Sequence, residues 1–154
     1  MKILKRDTGM FRNPGVTADL KLTRRAAAVK GWIEAMPGAV AEPFSARKTS
    51  PPIAVLYKVM DKIFAILSVR QIENVILKCD PHLVRMLRER YAGIGHRSHL
   101  DRRYWISVTL DADVPSKEIK RLVAQSYNLV CGNLSAKQKA ELARLPARTG
   151  GMRD

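Results

Sequence analysis

Residues 95–105 read GHRSHLDRRYW and hold two of the chain's three histidines, three arginines, an aspartate and one of its two tryptophans. Side chains of these types can do three kinds of chemistry. The first is metal binding. Cys79 and His82 stand as C-x2-H and His96 and His99 as H-x2-H, all within 21 residues, a spacing able to close a tetrahedral zinc site. A plainer reading fits the same residues: Cys79 ends an apolar strand, where a small buried thiol is common, and His82 sits just inside a helix. The second is catalysis, with His99 as base, Asp101 as its orienter and Ser98 or Ser126 as nucleophile. The chain lacks a G-x-S-x-G elbow, a phosphate loop and an H-E-x-x-H pair. A histidine in such an extended turn more often satisfies a backbone group. The expectation is therefore no catalytic residue, no metal and no cofactor.

The third is a grip on nucleic acid. Arg97, Arg102 and Arg103 flank His99, with Tyr104 and Trp105 beside them. Guanidinium groups offer paired hydrogen bonds to phosphate, and aromatic rings offer stacking surfaces. Neighbouring strand residues point to opposite faces, so only one of Arg102 and Arg103 can join a common surface. Trp105 opens a strand and reads first as a core residue. Lys58, Lys62, Arg97, Arg102 and Arg103 are the candidate basic rim. Bulk charge supports it: 28 Lys and Arg against 14 acids give +14 in 154 residues. The excess is not confined to one end, with ten basic and four acidic residues in 1–50 and eighteen and ten in 51–154. Such a field attracts phosphate polyanions.

One domain of ordinary size must position these groups. Residues 1–22 read as a flexible basic leader, 23–145 as the folded domain and 146–154 as a flexible tail. Thr23 caps a helix whose apolar positions Ala26, Val29, Ile33 and Met36 repeat at helical spacing until Pro37-Gly38. AVAEPF at 39–44 is a short strand. Residues 53–59 and 63–69 form a hairpin around Met60-Asp61-Lys62, and NVILKC at 74–79 continues the meander. Asp80-Pro81 opens a second helix with an inner stripe of Leu83, Leu87 and Tyr91, ended by Gly93 and Gly95. RYWISVTLD at 103–111 alternates as a half-buried strand. A long helix follows Pro115-Ser116, and Ser135 with Gln138 makes the capping box of a last one. The order predicts an α+β fold, an antiparallel sheet of about five strands with helices packed on it. The most apolar stretch, 53–69, is interrupted by Lys58, Asp61 and Lys62, so no membrane span is expected. Two cysteines and no apolar leader point to a cytoplasmic setting.

Four stretches in order, LYKVMDKIFAILS (56–68), LKCDP (77–81), GHRSHLDRRYWISVTLD (95–111) and VPSKEIKRLVAQSYNLV (114–130), resemble the MmcQ/YjbR-like family. The resemblance implies a compact fold similar to CyaY-like and secretion-chaperone-like proteins. It also implies a double-wing mode of DNA binding, in which strand hairpins act as wings, and no enzymatic activity. The family's first hairpin usually turns on Gly-Gly. Met60-Asp61 stands there in this chain, which favours a longer turn than the two-residue type I′. The positive charge separates the chain from iron-handling frataxins, so iron is not an expected cargo. DNA, held mainly through phosphates, is the expected partner. A protein-binding or chaperone-like adaptor, docking a partner with an acidic surface, is the alternative.

Overall fold

A computed structural model describes residues 22–69, 72–97 and 99–145. The expected tail, and the expected leader apart from Leu22, lie outside the described residues. The elements are helix α1 (Arg24–Glu34), strands β1 (Ala39–Phe44), β2 (Ala54–Val59), β3 (Lys62–Ser68) and β4 (Asn74–Lys78), helix α2 (Pro81–Arg90), strands β5 (Ile94–Gly95) and β6 (Trp105–Thr109), and helices α3 (Ser116–Gly132) and α4 (Ala136–Ala143). The strands form one antiparallel sheet in the order β1-β2-β3-β4-β6-β5. This is the expected α+β fold with one strand more. Sequence reading ended the second helix at Gly93 and Gly95; it ends at Arg90, and Ile94–Gly95 pair with Ser107–Val108 as a short edge strand. Gly93 is required here, because a Cβ would stand 2.7 Å from that of Ala112.

Helices α1 and α3 cover one face of the sheet. α1 turns Ala26, Val29 and Ile33 inward; α3 turns Ile119, Leu122, Val123, Ser126, Tyr127 and Val130. Opposite them the sheet presents Val55, Tyr57 and Val59 from β2, Leu67 from β3, Val75 and Leu77 from β4, and Ile106 and Val108 from β6, all buried. Each such side chain contributes about 1.5–3 kcal/mol when fully buried. The three predicted caps are in place: Thr23 Oγ1 accepts from the Ala26 N–H at 3.2 Å, Asp80 Oδ1 from that of His82 at 2.9 Å, and Ser135 Oγ from that of Gln138 at 3.1 Å.

The hairpin differs from expectation. Val59 pairs with Lys62, so the turn holds two residues, Met60 and Asp61, with φ of 50° and 69°. The chain accepts two non-glycine residues in the left-handed region rather than lengthening the loop. Just beyond it the β2–β3 register slips by one residue, and Phe64 and Ala65 both turn toward the helices. The slip would orphan two ladder groups. Ser126 of α3 takes their place: its hydroxyl donates to the Phe64 carbonyl at 2.6 Å and accepts from the Lys78 N–H at 2.8 Å. Its side chain is fully buried.

Candidate nucleic-acid interface

The register assigns every strand residue to the helix-covered face or to the open one. Leu56 pairs with Ile66 and Ile66 with Ile76, so these three share the open face with Ala54 and Lys58 of β2 and Lys78 of β4. Lys78 is paired with Trp105. Trp105 is therefore on the open face and half-buried, which corrects its reading as a core residue; the core position of β6 is the next one, Ile106. Lys58, Lys78 and Trp105 stand at one end of this face. At the spacing of neighbouring strands, Lys58 is roughly 10 Å from Lys78, and Trp105 roughly 5 Å beyond.

The five expected rim residues divide. Lys58 is ion-paired with Glu42 of β1 at 2.9 Å. Lys62 lies opposite Val59, which places it toward the helix-covered side of the hairpin end, away from Lys58. Arg103 makes a fork with Asp101, Nε to Oδ1 at 3.1 Å and Nη2 to Oδ2 at 2.9 Å, and its guanidinium stands 5.3 Å from the Tyr104 ring centroid. That fork holds the Asp101 carboxyl below the usual carboxylate range. Asp101 is thus the partner of Arg103, and the base-and-orienter pairing with His99 is not formed. Arg97 lines a groove on the open face with His99 and Leu100. Arg97, Arg102 and Lys62 are exposed and make no ion pair among the described residues.

Two cations escaped the sequence reading. Lys78 ends an apolar strand and looks like a simple boundary residue; only its register opposite Trp105 puts it in the row with Lys58. Arg88 stands off the Leu83, Leu87 and Tyr91 stripe expected to face inward from α2. Its Nη2 instead donates to the carbonyls of Arg102 at 2.9 Å and Trp105 at 3.4 Å, clamping the turn before β6. Burial, and then the Arg102 charge, lower its proton affinity. Its Nε is buried without a hydrogen-bond partner among the described residues.

The metal candidates have separate surroundings. Cys79 is buried, with its N–H donated to the Tyr104 carbonyl at 2.7 Å, and burial followed by the Asp80 charge pushes its thiol up to about 11. His82, His96 and His99 are exposed. Among the described residues no three histidine, cysteine or acidic side chains converge as a metal-binding group. Ser126, one of the two imagined nucleophiles, is the ladder bridge between Phe64 and Lys78. The other, Ser98, lies outside the described residues. Among the described residues no helix is long and apolar enough to cross a membrane.

The chain is similar to known proteins. The Escherichia coli K12 protein YjbR, itself uncharacterized, is 33% identical over 95 residues, covering 60% of this chain and 79% of that one. YbdF of E. coli O157:H7, also uncharacterized, is 27% identical over 85 residues, covering 54% and 70%. The crystal structure of the Deinococcus radiodurans protein DR2400, which carries domain DUF419, superposes with a TM-score of 0.66 at 24% identity, over 81% of this chain and 92% of that one. That last likeness is one of fold. The YjbR family profile matches residues 34–129, and the chain belongs to the YjbR family.

Proposed function

We propose that this chain is a non-enzymatic DNA-binding protein that holds the phosphate backbone at one end of its open sheet face. The observation that carries the reading is the row Lys58, Lys78 and Trp105, two cations and an aromatic ring on one face of β2, β4 and β6, with β3 between the first two. Arg97 and Arg102, exposed and without acid partners among the described residues, extend the positive surface. The net charge of +14 supplies long-range attraction. Lys58 and Arg103 would have to leave Glu42 and Asp101 to meet a phosphate. That costs little, since exposed ion pairs are worth about 0–1 kcal/mol. The contacts are to phosphates rather than base edges, because no recognition-helix motif accompanies the row.

The test is fluorescence anisotropy with labelled duplex and single-stranded DNA at two salt concentrations. Five neutralised phosphates, one each for Lys58, Lys78, Arg97, Arg102 and Arg103, predict a log–log salt slope of about −4.5 on duplex. Lys2, Lys5, Arg6 and Arg12 could bind DNA by themselves, so the measurement is repeated on a chain starting at residue 20. Loss of salt-sensitive binding in that shorter chain would refute the reading. So would an Arg97→Ala, Arg102→Ala, Arg103→Ala triple variant that binds as well as its parent. DNA-independent association with one acidic protein would instead support the adaptor alternative.

A further inference from the structure

The open face carries an apolar feature that phosphate binding does not use. Leu56, Ile66 and Ile76 lie side by side across the three central strands, on the side the helices leave uncovered. A one-sided antiparallel sheet ordinarily shows polar residues there. Arg97, His99 and Leu100, which lie between β5 and β6, wall this row, and with Phe44 and Ile53 they leave a groove of about 640 Å3. That volume lies within the range of small-molecule sites. Ile76, at the floor, is only 1% exposed, whereas Phe44 at the edge is 50% exposed. The groove wall includes His99, whose φ of 75° is a left-handed conformation that a non-glycine residue adopts at a cost. The same wall supplies a cation without a counter-ion among the described residues: Arg97 lines the groove, and no carboxylate is among the residues that line it.

We infer that this groove binds a small amphipathic carboxylate, its apolar tail over Leu56, Ile66 and Ile76 and its carboxylate on Arg97. The planar guanidinium matches a carboxylate with two parallel hydrogen bonds, and the tail meets an apolar row as wide as three strands. A neutral ligand would leave Arg97 unmatched, and a cationic one would be repelled by it. The inference shares Arg97 with the nucleic-acid reading but does not rest on it, since the apolar row Leu56, Ile66 and Ile76 plays no part in that surface.

Equilibrium dialysis of the full chain against decanoate, decanol and decyltrimethylammonium tests it, at concentrations where each probe is monomeric. Decanoate is expected to bind saturably at one site, at least tenfold tighter than the other two. Arg97→Ala is expected to remove that preference while leaving decanol binding unchanged. Ile66→Glu is expected to abolish uptake of decanoate; Leu56→Gln replaces it if the first variant loses its native circular dichroism. Equal binding of decanoate and decanol overturns the inference. So does a preference that survives Arg97→Ala, undiminished uptake by the Ile66 or Leu56 variant, or no saturable decanoate binding below about 1 mM.

Discussion

Ser126 shows how much a single small side chain can hold together. A serine on the buried stripe of a long helix looks like a packing compromise, or like a nucleophile when chemistry is being sought. Its hydroxyl instead completes the ladder between Phe64 and Lys78 where the β3 bulge breaks it. Ser126→Ala leaves a buried carbonyl and a buried N–H unpaired at once. The expected loss is about 2–3 kcal/mol in urea unfolding, since each orphaned group costs roughly 1–3 kcal/mol and the site can relax in part. Cys79 offers a different residue-scale test. Its thiol is raised to about 11, mainly by burial, so the folded state prefers it protonated. The stability this contributes is fully present below the thiol's unfolded value of about 8.5 and is lost as pH rises toward 11. Iodoacetamide at pH 8 should therefore modify the partly exposed Cys131 first and Cys79 only on unfolding. Equal rates for the two would show that Cys79 is not enclosed.

At the scale of elements, sequence patterns located the large pieces well. The 3.6 period of α3, the Asp80-Pro81 start of α2 and the Ser135–Gln138 box all appear where periodicity and capping chemistry put them. What escaped was set by pairing rather than by local pattern. Ile94–Gly95 is too short to show alternation and becomes a strand only because β6 offers it partners. The slip at Phe64 depends on a helix more than fifty residues away, through Ser126. The turn between β2 and β3 is tighter than expected for a related reason: pairing of the two strands right up to Val59 and Lys62 leaves only Met60 and Asp61 to reverse the chain. Two left-handed non-glycine residues in one turn store conformational energy. Replacing Met60-Asp61 with Asn-Gly, the pair that suits a type I′ turn, should raise stability by about 1 kcal/mol without altering the β2–β3 register. Thermal unfolding measures the gain. An unchanged or lower midpoint would mean that Met60, which packs partly on the core, contributes more than its backbone costs.

For the molecule as a whole, the sign of the charge was legible in the sequence, but its distribution was not. Residue types named Lys58, Lys62, Arg97, Arg102 and Arg103; only the sheet order shows that they divide between two faces, and that Lys78 joins Lys58. The counter-ions were equally hidden, because Glu42 meets Lys58 across a strand pair sixteen residues apart in the chain. That pair supplies a test in which binding improves. In the proposed complex a phosphate replaces the Glu42 carboxylate beside Lys58, so removing the carboxylate should help. Glu42→Gln is expected to tighten duplex binding by up to about fivefold, the equivalent of an exposed ion pair worth 0.2–1 kcal/mol. Its salt slope should stay close to the parent's, because Lys58 meets a phosphate in both complexes and only the broken ion pair is removed. A rise in net charge alone would tighten binding too, so the comparison is Glu141→Gln, which adds the same charge on exposed α4. Glu141→Gln should act weakly and leave the slope unchanged. If the two variants tighten binding alike, the attraction is a property of the whole basic surface, and Lys58 is not part of a defined contact row.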